Sequence, residues 1–146
     1  MKRKLPTYQE LVGLLAIFLI VILIVYSSMN YIVEQYKKDD GKLMEIRNAI
    51  RPLNPDAVDK VILLEDTKSY TINKKKIYLC LRDEHGEYYN DNMLIFVAIH
   101  ELAHVLCDEI GHTEKFESIF HNLLQVAVEQ KIYDPNVEPI RDYCEY

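Results

Sequence analysis

Hydrophobic and polar residues follow three different patterns along the chain. An apolar run without a charged residue extends from Leu11 to Val33. Short apolar runs separated by polar turns follow between residues 61 and 81. From Asn92 onward, apolar residues recur at every third or fourth position. The first pattern is typical of a membrane span, the second of short β-strands and the third of amphipathic α-helices.

The uncharged run from Leu11 to Val33 is long enough to cross a membrane. A helix of this length measures about 34 Å, and the hydrocarbon core of a bilayer is about 30 Å thick. The alternatives are a cleaved signal peptide and a buried core helix. A signal peptide has a shorter apolar region followed by an A-x-A-like cleavage site, whereas "YSSMNYIV" closes this run, and a core helix would carry a polar face. We therefore expect a single-pass transmembrane anchor.

The charges that flank the anchor slightly favour a cytoplasmic N-terminus. Lys2, Arg3 and Lys4 precede the anchor, and basic flanks tend to remain in the cytoplasm. Lys37 and Lys38 on the opposite flank weaken this bias. The predicted organisation is a basic segment (1–10), a transmembrane helix (11–33), a juxtamembrane linker (34–42) and a folded domain (43–146).

The first part of the folded domain is predicted to contain one helix and three strands. Leu43, Ile46 and Ile50 recur at helical spacing, and Pro52 and Pro55 end this helix. Three runs rich in β-branched and aromatic residues follow, with "NKKK" as a hairpin turn between the last two. These runs are "VILLED" (61–66), "SYTIN" (69–73) and "IYLCL" (77–81).

Two helices are predicted after the strands. The first extends from Asn92 to about Glu109, with Asn90 or Asp91 as its N-cap and Gly111 as its C-terminal stop. The second begins near Thr113. Strands followed by helices within one domain indicate the α+β class. The apolar stripe of the second helix comprises Phe116, Ile119, Phe120, Leu123, Leu124 and Ala127.

The first of these helices carries the motif HELAH at residues 100–104. His100 and His104 lie about 40° apart around the helix and one turn apart along it, so both imidazoles can bind one metal ion. Glu101 lies at the edge of the same face, where it can accept a proton from water on the metal. The remainder of the helix is apolar. Because burying these polar groups without partners costs several kcal/mol, the pattern predicts a bound metal.

Several residues were considered as the third metal ligand. Cys107 shares the face of the two histidines, but it lies ~4.5 Å beyond His104 along the helix axis, too far for a thiol. Glu117 and Glu129 are possible ligands from the second helix, although Glu117 is typical of a charge in a first helical turn. His121 fits a surface or packing position. These residues are therefore less suitable than a histidine between the two helices.

His112 occupies that position between the helices. Gly111 allows the chain to reverse direction after the first helix, and Phe116 can connect the second helix to the core. The predicted site contains one Zn²⁺ ion bound by His100, His104 and His112, with Glu101 as the general base.

The run "HELAHVLCDEIGHTEKF" (100–116) resembles the active-site segment of small zinc metallopeptidases of the SprT-like and WLM types. In those families, HExxH is followed by a short loop, a Gly-His step and an aromatic residue four positions later, where this chain has Phe116. The preceding strand "IYLCLRD" is also similar. Small proteins of large DNA viruses resemble residues 60–135. The resemblance implies a minimal zincin-like domain, with a small sheet, an active-site helix and a following C-terminal helix.

Motif and resemblance together predict a membrane-anchored zinc peptidase that acts on peptides or proteins. Zinc on three histidines keeps a position for water and lowers the pKa of that water to about 7, and Glu101 accepts its proton. Tyr133 and Tyr143 are candidates for stabilising the oxyanion, or else packed or interfacial tyrosines. The strand Ile77–Leu81 could bind substrate backbone at an exposed edge, or else be an ordinary core strand. The alternatives are a non-catalytic zinc-binding module for membrane interaction or assembly, and a membrane scaffold with an accidental motif.

Charge and cysteine content restrict the partners. The chain has 17 Lys and Arg against 23 Asp and Glu, and three of the basic residues precede the anchor. The acidic domain lacks the basic surface that binds phosphate backbones, so we expect no nucleic-acid partner. It differs in this respect from the DNA-associated members of the similar families, which are basic. Cys80, Cys107 and Cys144 are an odd number without metal-type spacing, so they establish neither a disulfide framework nor a redox compartment, and their disulfide state stays open.

Overall fold

A computed structural model of the protein describes residues 7–38 and 41–144. Most of the predicted basic segment (1–6), residues 39–40 of the predicted linker and the last two residues lie outside the described residues. The chain divides into two compact units, residues 1–36 and 37–146.

Helix α1 (Tyr8–Lys38) includes almost all of the described residues of the first unit, and its last two residues fall in the second unit. Its N-terminus is capped because the Glu10 carboxylate accepts hydrogen bonds from the backbone N–H of Thr7 at 2.7 Å and from the Thr7 hydroxyl at 2.9 Å. The stretch Tyr8–Val33 is long and apolar enough to cross a membrane. Its length and composition support a membrane span, and they are also compatible with a signal sequence near an N-terminus.

The second unit combines a small sheet with helices, so it is α+β as predicted. Its first helix is followed by a 3₁₀ turn at Arg51–Leu53, where Pro52 cannot continue α-helical hydrogen bonding. The elements in chain order are α2 (Gly41–Ile50), α3 (Pro55–Val58), β1 (Ile62–Glu65), β2 (Tyr70–Ile72), β3 (Lys76–Leu79), α4 (Asp91–Leu106) and α5 (Glu114–Glu129).

The sheet has the strand order β1-β3-β2. β3 pairs in parallel with β1, placing Leu63 opposite Ile77, and antiparallel with β2, placing Thr71 opposite Ile77. The prediction that the strand at Ile77–Leu81 offers an exposed edge is therefore wrong, because its regular part is the central strand. β2 is an edge strand instead. The hairpin turn is as predicted, with Asn73 and Lys74 at positive φ angles of 51° and 55°.

Helix α4 lies at the centre of the second unit and contacts α2, α5, β2 and β3. Its apolar residues explain this position: Leu94, Ala98, Ile99 and Leu102 are almost completely buried. The helix ends at Leu106, three residues before the predicted end. Cys107 already has an extended backbone with a ψ angle of 128°. The chain therefore leaves the helix before the polar residues that the sequence analysis placed in its last turn.

Candidate functional site

Helix α4 sets the position of three of the four predicted site residues. The Asn90 side chain caps its N-terminus by accepting a hydrogen bond from the backbone N–H of Met93 at 2.9 Å. His100, Glu101 and His104 lie in its last two turns. Because the opposite faces of the helix are buried in the core, these three side chains are held on the side that faces the clefts.

The three predicted histidine ligands come together in space. His112 Nε2 lies 3.0 Å from His100 Nε2 and 3.2 Å from His104 Nε2. Two nitrogens bound to one tetrahedral zinc ion at 2.0–2.1 Å are about 3.3–3.4 Å apart. The three imidazoles therefore form a group of nitrogen donors that could hold a metal ion, at a spacing close to that around tetrahedral zinc.

The loop between the helices brings His112 to the other two histidines. Gly111 has a φ angle of 86°, which is the left-handed conformation that reverses the chain. Thr113 then caps α5, with its hydroxyl accepting a hydrogen bond from the backbone N–H of Phe116 at 3.3 Å. The local sequence thus fixes both ends of the turn that carries His112.

Phe116 packs beneath all three histidines. Its side chain is completely buried, and its ring stacks on that of His104 with 4.2 Å between centroids. The rings of His100 and His112 lie at 5.0 Å and 4.8 Å from it. The aromatic residue therefore orients the imidazoles by direct contact, a more specific role than joining α5 to the core.

Burial keeps two of the histidines in the neutral form that binds metals. Desolvation, followed by the nearby His104 and His112, lowers the pKa of His100 to about 4. Desolvation and then His112 also lower the pKa of His104. Both rings are therefore neutral at pH 7, with a nitrogen lone pair available to a metal ion.

Glu101 is buried beside the histidines, with 5 % of its surface exposed. Burial raises the pKa of its carboxyl, and a hydrogen bond from Thr71 opposes this shift. Thr71 Oγ1 donates to Glu101 Oε2 at 2.8 Å and lies 3.2 Å from the backbone oxygen of the same residue. A raised pKa brings a carboxylate closer to the range in which it exchanges protons at neutral pH.

Thr71 was not predicted to belong to the site. It lies on β2, thirty positions before Glu101 in the chain. A threonine within "SYTIN" is an ordinary strand residue, so the sequence carries no signal for this contact. Only the packing of β2 against α4 reveals it.

Two clefts meet at His100 and Glu101. One has a volume of about 600 Å³ and is bordered by β2 and by residues 109–112. The other has a volume of about 710 Å³ and extends over the first half of α4 to Tyr143 and Cys144. Ser69 also lines both clefts. The two clefts therefore adjoin each other at these shared residues, and the smaller one also borders His104 and His112.

The other ligand candidates lie outside the histidine cluster. Cys107 is buried at the C-cap of α4, and its carbonyl oxygen accepts a hydrogen bond from Lys74 Nζ. Glu117 lies 3.7 Å from His121 Nδ1 on the exposed side of α5. Glu129 accepts a hydrogen bond from Gln125, again on α5.

The two oxyanion candidates have different surroundings. Tyr143 lines the larger cleft, but its hydroxyl donates to the backbone oxygen of Cys80 and contacts Ser69 Oγ at 3.1 Å. Tyr133 packs against Phe96 with 5.7 Å between ring centroids. The hydroxyl of Tyr143 is therefore engaged with the end of the sheet.

A disulfide bond joins Cys80 to Cys144, across a sequence separation of 64 residues. It connects the end of β3 to the C-terminal end of the described chain. The sequence left the disulfide state of the three cysteines open. The structure pairs two of them and leaves the buried Cys107 as a free thiol.

Known viral proteins are similar to most of this chain. Uncharacterized protein 042R of Invertebrate iridescent virus 3 is 40% identical over 127 residues, covering 82% of this chain and 80% of that protein. Uncharacterized protein R325 of Acanthamoeba polyphaga mimivirus is 30% identical over 152 residues, covering 97% and 73%. The chain belongs to this family of viral proteins. The similarity therefore extends beyond residues 60–135, which carry the viral resemblance in the sequence.

This chain covers a smaller share of a third viral relative. Uncharacterized protein 136R of Invertebrate iridescent virus 6 is 47% identical over 94 residues, and this chain spans about half of it, 53%. No protein-family model matches the chain.

The structure of Wss1 from Saccharomyces cerevisiae is similar to part of this chain. The match covers 60% of this chain and 76% of Wss1, with a TM-score of 0.50 and 27% sequence identity. Wss1 is a WLM-type zinc metalloprotease, so this likeness supports the relation to WLM and SprT-like proteins. It suggests a peptidase.

Proposed function

We propose that this protein is a membrane-anchored zinc peptidase with a zincin-like domain. The observation that carries this proposal is the convergence of three imidazoles, with His112 Nε2 3.0 Å and 3.2 Å from the Nε2 atoms of the other two, beside a buried glutamate. His100, His104 and His112 would hold one zinc ion. The likeness to Wss1 supports the metallopeptidase-like fold in this proposal.

Zinc, when bound, supplies a Lewis acid that polarises a peptide carbonyl and lowers the pKa of water to about 7. The protein's own groups perform the remaining tasks. Glu101 accepts a proton from the attacking water and returns it to the leaving amine, as its buried position beside His100 permits. Thr71 holds the carboxylate in place from β2.

The edge strand β2 is the element best placed to bind the substrate backbone. It borders the cleft of about 600 Å³ that contains the histidines. An extended peptide can add to such an edge through main-chain hydrogen bonds. We therefore propose a peptide or protein segment in extended conformation as the substrate, in agreement with an acidic domain that lacks the charge to bind nucleic acid.

The proposal is tested with the full-length chain purified in detergent. Metal analysis should find one zinc ion per chain, and a broad peptide library should be cleaved by this preparation. Zinc without any cleavage would favour the alternative of a non-catalytic binding module. A preparation without zinc at neutral pH would instead indicate an accidental motif.

Replacing Thr71 by valine is expected to lower kcat about tenfold or more while KM changes little. Valine keeps the shape of threonine but removes a hydrogen bond to a charged group, which contributes about 1.5–3 kcal/mol. The carboxylate of Glu101 then loses its orientation, but the substrate still binds. Steady-state kinetics on one library peptide measure the effect.

Thr71→Ser provides the matched control, because serine retains the donating hydroxyl. We expect this variant to recover most of the kcat that valine loses. Equal losses in both variants would show that Thr71 contributes packing rather than the hydrogen bond to Glu101.

We propose that α1 is the membrane anchor and that the folded domain lies on the non-cytoplasmic side. Lys2, Arg3 and Lys4 support a cytoplasmic N-terminus. The bond between Cys80 and Cys144 supports an oxidising compartment for the domain. If mass spectrometry of the non-reduced protein found both thiols free, the result would contradict the placement of the domain on the non-cytoplasmic side.

The full-length chain is expected to stay with membranes after alkaline carbonate extraction, because the apolar side chains of α1 cannot be solvated without a large cost. Immunoblotting of pellet and supernatant measures this. Release of the intact chain would argue against an anchor. Release of a product shortened by about 28 residues would identify a cleaved signal peptide.

A further inference from the structure

The face of α4 that carries the site continues towards the N-terminus of the helix with apolar residues. Val97 precedes Glu101 by four residues, and Met93 precedes Val97 by four, so the three lie on one face. Side chains at this spacing have Cβ atoms about 5–6 Å apart. Val97 is therefore the neighbour, on this face of the helix, of Glu101, which would act on the substrate.

The chain after α5 passes over this part of α4. Asn92 fixes it at one end, because its side chain donates to the backbone oxygen of Asp134 at 3.0 Å and accepts from the N–H of Asp134 at 2.8 Å. The backbone N–H of Ile140 then contacts Met93 Sδ at 3.3 Å. We call residues 131–144 the C-terminal segment.

The other end of the C-terminal segment is attached to the sheet. The disulfide joins Cys144 to Cys80, and the hydroxyl of Tyr143 donates to the backbone oxygen of Cys80. Ser69 reinforces this junction, since its hydroxyl contacts that of Tyr143 and accepts from the N–H of Cys80 at 2.9 Å. The segment therefore spans from the start of α4 to the end of β3 as a covalently attached wall.

Between this wall and α4 lies the cleft of about 710 Å³. Its floor is apolar, with Met93, Phe96 and Val97, and it opens at His100 and Glu101. We infer that this cleft receives a large apolar side chain of the peptide substrate next to the bond that is cleaved, and that the disulfide-linked C-terminal segment forms its wall. The inference rests on the proposed peptidase function.

The charges around the cleft favour an apolar occupant. Lys68 is exposed at the margin, and Glu101 is the acidic residue among the described residues that line this cleft. A charged substrate side chain would lose its water against Met93, Phe96 and Val97 without gaining a paired charge on the floor. An apolar side chain gains about 25 cal/mol for each Å² that it buries there.

The experiment compares peptides that differ at one position, using the full-length chain in detergent. For cleavage, kcat/KM should be at least about tenfold higher with Leu, Met or Phe than with Gly or Asp at one position next to the cleaved bond. Binding of the same peptides to the Glu101→Gln chain is measured in parallel by fluorescence anisotropy. The binding measurement tests the cleft even if no peptide is cleaved. An absence of cleavage would count only against the proposed peptidase function.

Two variants locate the preference in the structure. Val97→Phe fills the floor of the cleft and should shift the preference towards Ala and Gly with zinc content unchanged. Val128→Phe makes the same substitution on the exposed side of α5 and should leave the preference as in the wild type. Equal acceptance of all residues by the wild type, or identical preferences in both variants, would overturn the inference.

The wall is tested by the double variant Cys80→Ser, Cys144→Ser. Without the covalent attachment, the preference for the large apolar side chain should fall at least about fivefold, against the tenfold discrimination expected for the wild type. Zinc content and a cooperative thermal transition show whether the variant is folded. A folded double variant that keeps the full preference would overturn the role of the disulfide, and the Val97→Phe result decides the cleft independently.

Discussion

Replacing Glu101 by glutamine is expected to lower peptide hydrolysis at least ~10²-fold while zinc stays bound. Glutamine has nearly the size of glutamate and can still accept the hydrogen bond that Thr71 donates, so the local structure should persist. It cannot accept a proton from the attacking water. The measurements are kcat/KM on a cleaved library peptide and zinc content per chain.

Glu129→Gln is the matched control for this variant. Glu129 lies exposed near the end of α5 and accepts a hydrogen bond from Gln125, away from the histidine cluster. We expect wild-type activity in this control. Full activity in Glu101→Gln would refute the role of Glu101 as the base. A fall in zinc content parallel to the fall in activity would instead assign it to the integrity of the metal site.

Replacing His112 by alanine is expected to remove most of the zinc at neutral pH. Catalytic zinc sites retain three protein ligands, and His112 Nε2 lies within 3.2 Å of the corresponding atoms of both other histidines. Changes in groups that merely orient a ligand already cost about 10–100-fold in metal affinity, so the loss of a ligand should cost more. Metal analysis after dialysis against a weak chelator measures the loss.

Two further variants serve as controls for His112→Ala. His121→Ala removes the same side chain from the exposed face of α5, and Cys107→Ser tests the buried thiol at the end of α4. Both should retain zinc. If Cys107→Ser lost the metal and His112→Ala kept it, the third ligand would have been assigned to the wrong residue.

Elements whose signals are local in the sequence were predicted well. The α+β class follows from periodicity, as do the three strands and the start of α5 near Thr113. The approach of His100 and His104 follows from helical geometry alone, since residues four apart share a face. The position of His112 was predicted through Gly111, which has the positive φ angle that reverses the chain.

Edges of elements and the order of strands were predicted less well. α4 ends at Leu106 rather than near Glu109, because the chain turns extended at Cys107. β3 is the central strand, whereas its sequence suggested an accessible edge. The apolar alternation of a strand shows that one face is buried, but it does not show how many neighbours the strand has.

Local sequence patterns are enough to predict the helices, the strands and the motif that brings two histidines and a glutamate onto one face. Which distant groups join them follows from the packing of the elements in three dimensions. Thr71 meets Glu101, and Cys144 meets Cys80 with a sequence separation of 64 residues. Such contacts depend on how whole elements pack, and residue periodicity records only which face of each element is buried. The packing of β2 and of the C-terminal segment against α4 therefore shaped the clefts around a motif that local geometry had already set.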